Sequence, residues 1–442
     1  MNTNHFIHSL SDLNQKYGDE IHDLCNKLFD LNLSLTGEGV KEALNIIEQV
    51  IPIKTTQIKS LEEVFDWKIP LEWVLNEAYI LDESNNKILD AKENILQVVN
   101  YSKSIDKIVS LDELKKNIHT IKNEPDAIPY ITSYYNDDWG FCMKYKDFKL
   151  LKEGKYKILI DSEFKEGSIN IGEFLLEGKL EDEILISTYT CHPRMANDNL
   201  SGIAVATFLA KILSLFKTNY SYRFLFLPET LGPIAWLNNN KSKLANIKFA
   251  KVFSCLGDEN LNVTYQKSKK QNSDFDFIYE NLLNEEEKIK IQNFIPYISD
   301  ERQYSTLAFD IPTSLVTRSM PGEFPEYHTS KDDMNFINKK SLIHSLYIIL
   351  KSIFIFERNF KVRILHTEGE PFLGKRNLHK KLGGFKKDTQ IDLAFYWIFQ
   401  FADGDNTILD ISKKSNLTFD TVFNACNILE QNNLLKIYRK TK

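Results

Sequence analysis

The strongest constraint on this chain is an alternation that runs from residue 157 to residue 354. Short apolar runs stand at 157–160, 184–189, 223–227, 250–254 and 313–316, and helical patterns at 202–215, 234–239, 274–283 and 340–354. Strands that alternate with helices favour crossover connections and a parallel sheet. A run such as Ile184-Leu185-Ile186 is apolar on successive positions, as in a strand covered on two faces. The expected fold class is therefore α/β, a mostly parallel sheet with helices on both faces.

In such sheets reacting groups gather outside the carboxyl ends of the strands. One loop in that position reads Cys191-His192-Pro193-Arg194-Met195-Ala196-Asn197-Asp198-Asn199-Leu200-Ser201-Gly202, and Glu326-Tyr327-His328-Thr329-Ser330 precedes the last helical pattern. Two imidazoles and a carboxylate drawn from distant loops suit a zinc ion, which takes nitrogen and oxygen ligands. The residues read as those of a metallohydrolase.

The flanking segments differ in texture. Residues 6–50 read as helices, with Leu10, Leu13, Ile21, Leu24, Leu28 and Leu31 at roughly helical spacing and Gly37-Glu38-Gly39 as a turn. Residues 64–149 are crowded with aromatic side chains, and alternation at 78–81 and 95–99 predicts short strands. Gly383-Gly384 marks a linker, after which the pattern helix, helix, strand suits a winged helix-turn-helix. The expected division is a discontinuous catalytic domain of 1–60 and 150–382, an inserted β-rich domain of 64–149, and a winged helix of 385–442.

Composition narrows the function. With 442 residues the chain exceeds one ordinary core, and a net charge of −6 gives no reason to expect nucleic acid as a main partner. Residues 388–442 carry six basic against seven acidic side chains, and the second helix of the module, 421–431, has no Lys or Arg. DNA phosphates are met by basic residues, so this module is expected to serve protein contact or dimerisation. Self-association through it or through the insert is the expected oligomeric route. No stretch reaches the ~18 apolar residues of a membrane span, and the first residues lack the marks of a signal peptide. Five scattered cysteines argue for reduced thiols in a cytoplasm, with Cys191 a buried structural thiol.

The ordered motifs resemble the co-catalytic zinc aminopeptidases. The loop ending Ala196-Asn197-Asp198-Asn199-Leu200-Ser201-Gly202 is similar to that family's A-D-D-N-x-S-G, Glu229-Thr230-Leu231-Gly232 to its Glu-Glu-x-Gly turn, and Tyr327-His328-Thr329 with Asp332 to its Y-H-T-x-x-D. More narrowly, Cys191-His192-Pro193, Asp66-Trp67, Trp139-Gly140-Phe141-Cys142 and Ser299-Asp300-Glu301-Arg302-Gln303-Tyr304 resemble a bacterial branch with an inserted domain and a C-terminal winged helix. That branch often accompanies polysaccharide-biosynthesis genes. The resemblance implies zinc held by His192, Asp198 and His328, with Asp198 as the bridge where two ions are present and Asp258 as a further ligand. It implies Glu229 as general base, or alternatively as a ligand, and Asp332 as the partner that orients His328 or as the start of the next helix. Arg302 and Asp300 become candidates for substrate contact or for an internal ion pair.

Two departures stand out. Thr230 occupies the place of the family's second consecutive Glu, a metal ligand, and Asp258 is out of register with the family's remaining Asp. One zinc is as compatible with the sequence as two. The implied activity is hydrolysis of an amide bond by metal-activated water, on a peptide or a small amide-bearing substrate. Alternatives are an amidase or deacylase acting on an amino sugar or a sugar-linked amino acid, and a catalytically degenerate binding or regulatory protein.

Overall fold

A computed structural model describes residues 10–285, 288–378 and 389–439. Its centre is an eight-stranded sheet of β1 (Lys54–Lys59), β2 (Ser168–Leu176), β3 (Glu183–Tyr189), β4 (Ser221–Leu227), β5 (Ile247–Phe253), β6 (Val263–Gln266), β7 (Ile289–Gln292) and β8 (Thr313–Thr317). The spatial order is β1-β2-β4-β3-β5-β8-β6-β7. The four middle strands run parallel, while β2 and β6 join them antiparallel.

Every residue of β3 and β4 is buried. Ile184 and Ile186 point into one apolar cluster and Leu185 into another, so the sheet is covered on both faces as the apolar runs predict. On the first face lie α1 (Leu10–Phe29), α2 (Glu38–Glu48), α3 (Gly202–Leu213), α5 (Asp274–Glu285) and α6 (Lys339–Arg358); on the second lies α4 (Leu231–Asn239). Nearly all of α3 is buried, with Lys211 its exception, as befits a helix enclosed between the sheet and α1 and α6.

Three expectations need correction. Residues 157–160 do not join the central sheet. They lie in the strand Lys155–Lys165, which pairs with Glu72–Leu81 and Ile105–Ser110 in a separate four-stranded sheet. The signal was present in the sequence: Tyr156, Ile158 and Ile160 are buried and Lys155 and Lys157 exposed, the period-two pattern of a one-sided antiparallel sheet. Residues 95–99 contain a 3-10 turn, Ile95–Gln97, because the Asn94 side chain accepts the Leu96 N–H and starts a turn. The strand Lys361–Ile364, expected in the main domain, pairs with Asp403–Thr407 and Leu435–Tyr438 in the sheet of the C-terminal module. Residues 6–9 and Gly383-Gly384 lie outside the described residues.

That module contains helices Gln390–Phe401, Ile408–Ser415 and Phe419–Gln431, the first two opened by capping boxes at Thr389/Asp392 and Thr407/Asp410. Its last helix is docked by its N-terminal end onto the main domain. Phe419 N–H donates to Glu285 at 3.1 Å, and Asp420 pairs with Arg358 at 3.2 Å. In helix-turn-helix proteins this is the end that reaches into DNA.

Lys251 on β5 is an ionisable group in the main core. Its Nζ lies 3.7 Å from the Phe275 ring centroid, 4.7 Å from that of Tyr279 and 3.5 Å from Ser352 Oγ. Burial holds its pKa well below the ordinary amine value. The unfolded chain then binds a proton that the folded chain lacks, so this residue's contribution to stability improves as pH rises toward the ordinary lysine pKa. Lys251→Met keeps the length and removes the ionisable end. It is expected to stabilise the fold at neutral pH by about 1 kcal/mol or more; thermal melts of the two proteins at pH 7 and pH 9 check this, with the larger gain at pH 7.

Candidate metal centre

The loop after β3 is shaped by its own side chains. Asn199 Nδ2 donates to Thr188 Oγ1 at 2.8 Å, Ser201 Oγ donates to the Asn197 carbonyl at 2.6 Å, and Asn197 Oδ1 accepts the Gly257 N–H at 2.9 Å. A Cβ at position 202 would sit 2.2 Å from Asn199 Oδ1, so only glycine fits there. The backbone is kinked at Asp198 and Asn199, whose peptide bond is cis. Three successive amides of this loop are then taken by one residue. Ala196 N–H donates to the Asp332 carbonyl at 2.9 Å, Asn197 N–H to Oδ1 at 2.6 Å and Asp198 N–H to Oδ2 at 2.9 Å. Asp332 is fully buried.

This framework brings His192, Asp198 and His328 together, with one ligand atom from each lying within 4.8 Å of the others. His328 Nε2 and Asp198 Oδ2 are 3.0 Å apart, and apart from this contact neither buried atom has a hydrogen-bond partner. Two buried ligand atoms with no partner but each other, beside a third ligand group, fit a metal ion. At bond lengths of about 2.0–2.2 Å, neighbouring tetrahedral ligands stand roughly 3.3 Å apart. Three protein ligands also match the usual catalytic zinc shell, which leaves one position open.

The electrostatics agree with that fit. Burial holds the His192 pKa down at about 4, against the pull of Asp198, so the imidazole is neutral and able to bind a metal. Burial alone would raise Asp198, but the imidazoles of His192 and His328 and a hydrogen bond from the Tyr189 hydroxyl keep it below the usual carboxylate value. Tyr189 OH also meets Ser254 Oγ at 2.6 Å.

Glu229 follows β4, and its Oε2 lies 3.9 Å from His192 Nε2. Burial and then the charge of Asp198 raise its pKa above the ordinary carboxylate range, as a proton carrier requires. Thr230 behind it has φ 62° and ψ −64°, and Leu231 N–H closes on the Glu229 carbonyl at 2.6 Å. This is a γ-turn of the rare positive-φ kind, strained by ~1–3 kcal/mol and more so for a β-branched residue. His192, Glu229, Thr230 and His328 open into a cavity of about 390 Å³.

The inserted segment lines the same cavity with Trp67, Tyr130, Tyr134 and Tyr135. Tyr130 stands edge-on to both imidazoles, its centroid 5.4 Å from His192 and 5.3 Å from His328. Its N–H donates to the His328 carbonyl at 2.8 Å, and Ser330 N–H donates to Ile128 O at 2.8 Å. The insert therefore braces the loop that carries His328. The aromatic crowding of 64–149 was visible in the sequence, but nothing local told packing residues from cavity residues.

Other expected site residues are placed elsewhere. Asp258 is not among the clustered ligands; its oxygens accept from Asn197 Nδ2 at 2.9 Å, Ser319 Oγ at 2.9 Å and Asn260 N–H at 2.9 Å. A two-residue turn at Asp258 and Asn260 has drawn its carboxylate into loop bracing. Asp332 orients the Asp198 backbone rather than the His328 ring. Asp300 and Arg302 face Thr230 instead of the cavity, through Thr230 N–H to Asp300 at 2.7 Å and Arg302 Nη2 to Thr230 Oγ1 at 2.8 Å. Cys191 is buried and accepts the Glu229 N–H at 3.2 Å, and all five cysteines are free thiols.

Asp332→Asn tests the amide tie, because an NH₂ group must face one of the two backbone donors that a carboxylate accepts. A loss of ~1–3 kcal/mol is expected for the unsatisfied buried donor, together with weaker metal retention. Chemical denaturation and elemental analysis of the same preparation measure both.

Residues 22–359 match the profile of a family described as a domain of unknown function (DUF4910), and residues 361–437 match a winged helix-turn-helix family. A Clostridium acetobutylicum protein is 41% identical over 95% of this chain and 96% of its own length; its provisional name is polysaccharide biosynthesis protein with aminopeptidase-like domain. A crystal structure of a provisionally named peptidase from the same organism has a TM-score of 0.91 at 40% identity, covering 97% of this chain and 98% of that one. The fold alone extends to a zinc aminopeptidase from Bacillus subtilis (TM-score 0.54, 13% identity, 76% of this chain and 94% of that one). It extends also to an M28 peptidase precursor from Shewanella amazonensis (TM-score 0.56, 13% identity, 79% and 96%). The chain belongs to the DUF4910 family and joins an aminopeptidase-like fold to a C-terminal winged helix.

Proposed function

We propose that the protein is a zinc-dependent hydrolase of amide bonds, with one metal held by His192, Asp198 and His328. The observation that carries this reading is the cluster of His192, Asp198 and His328, in which the buried atoms Asp198 Oδ2 and His328 Nε2 lie 3.0 Å apart with no other partner and Glu229 Oε2 lies 3.9 Å from His192 Nε2. A zinc ion there would lower the pKa of a water toward neutrality and polarise the substrate carbonyl. Glu229 takes the water's proton at Oε2 and returns it to the leaving amine, for which its raised pKa is suited. The neutral His192 and the braced His328 hold their ring nitrogens toward Asp198. The Trp67, Tyr130, Tyr134 and Tyr135 wall narrows solvent access and orients the substrate against the cluster.

One ion is favoured over two. The position of a second shell is filled by Thr230, whose hydroxyl is engaged by Arg302, and Asp258 is turned into its own loop. For the substrate, a peptide with a free amino end is the first reading, supported by the aminopeptidase-like domain in the name of the Clostridium acetobutylicum relative. An acylated amino sugar is the second reading, supported by the name of the Clostridium acetobutylicum relative and by a cavity wall of flat rings.

Hydrolysis of aminoacyl arylamides and of N-acylated hexosamines by the zinc-loaded protein tests the activity. Asp198→Ala is expected to abolish both zinc binding and turnover. Glu229→Gln is expected to keep the zinc and lose ~10²–10⁴-fold in kcat, the usual range for general acid–base catalysis. Unchanged turnover in either variant, or no zinc bound by the parent protein, would overturn the proposal.

A further inference from the structure

The segment Ser299–Arg302 leads into the short helix Glu301–Tyr304, and three of its residues converge on a single dipeptide. Asp300 Oδ1 accepts the Thr230 N–H at 2.7 Å, Arg302 Nη2 donates to Thr230 Oγ1 at 2.8 Å, and Ser299 Oγ donates to Glu229 Oε1 at 3.4 Å. Arg302 is held in turn by Nη1 on the Ser299 carbonyl at 2.8 Å. From the far side Cys191 Sγ accepts the Glu229 N–H at 3.2 Å. The dipeptide is thus gripped on its backbone and on both side chains.

The gripped conformation is one that a threonine does not keep by itself. At φ 62° and ψ −64° Thr230 occupies a region that persists only where the surroundings over-determine it. Asp300 is fully buried, with one oxygen lacking a hydrogen-bond partner, an arrangement unfavourable for stability alone. Strain and an unsatisfied carboxylate in one place are common where geometry serves a site.

We infer that Asp300, Arg302 and Thr230 are positioning residues that hold the γ-turn and thereby aim the Glu229 carboxylate at the His192–Asp198–His328 cluster. The inference rests on the reading of Glu229 as the proton carrier. It assigns a purpose to Thr230: the hydroxyl is the acceptor for Arg302, so the residue belongs to the aiming of the base. It also accounts for the Ser299-Asp300-Glu301-Arg302 motif without contact to substrate.

The test compares three full-length variants, T230V, T230S and R302Q, by zinc content, kinetics and crystal structure. T230V keeps the branched shape and removes the acceptor; T230S keeps the hydroxyl. All three are expected to bind zinc as the parent does. T230V and R302Q are expected to lose about 10- to 100-fold in kcat, with KM within about threefold, since a displaced reacting group costs up to about that factor. T230S is expected to stay within about threefold of the parent in both. In the T230V crystal structure, residue 230 is expected at negative φ, with Glu229 Oε2 farther from His192 Nε2 than 3.9 Å. Parent-like kcat in T230V, an unmoved Glu229, or loss of zinc or fold in both T230V and R302Q would overturn the inference. A zinc-loaded parent that hydrolyses no substrate would count against the hydrolase reading, and the crystallographic comparison would still decide the aiming role.

Discussion

The site depends on one buried carboxylate. Asp332 takes the amides of Asn197 and Asp198 on its two oxygens and the Ala196 amide on its carbonyl. These contacts join the His328 loop to the Asp198 loop, segments more than a hundred residues apart in sequence. Without such a tie, the two loops that carry the proposed ligands would each pay the entropy of ordering separately. Burial raises the pKa of Asp332, and the two amide donors oppose that rise. The insert completes the joint from the other side, where the Ile128–Tyr130 backbone bonds to His328 and Ser330.

The sheet explains why the remaining groups meet. His192 and Glu229 follow the adjacent parallel strands β3 and β4, so their loops emerge at the same edge. Asp258 follows β5 and His328 comes after β8 on that same parallel core. Every residue of β3 and β4 is buried, so the loops leave from packed strands, and side chains carried on packed elements are placed more precisely than those on loops alone. The chemistry is then set by what each loop does with its side chain. Asp258 is used for bracing, and the strained turn at Thr230 is used to aim.

Much of this was legible in the chain. Fully buried strands announce themselves as unbroken apolar runs, and the short, ordered motifs around His192, Asp198 and His328 mark the three residues that the fold brings together. The sheet membership of Lys155–Lys165 was misread because strand propensity does not reveal which sheet a strand joins; its alternating lysines did. The role of Asp258 was hidden because a Gly-Asp pair looks alike as ligand and as turn. Tyr130 at the imidazoles and Asp300 with Arg302 under Thr230 are long-range contacts set by packing, and no local pattern specifies them.

The central claim is that His192, Asp198 and His328 form a single metal site. Anomalous diffraction at the zinc edge, from crystals of the full chain grown with zinc, tests it most directly. The account predicts one peak per chain, coordinated by Asp198 and by a ring nitrogen of each histidine. Two peaks, or a peak bound by Asp258 or Glu229 in place of a histidine, would contradict it, and so would the absence of any peak at this cluster.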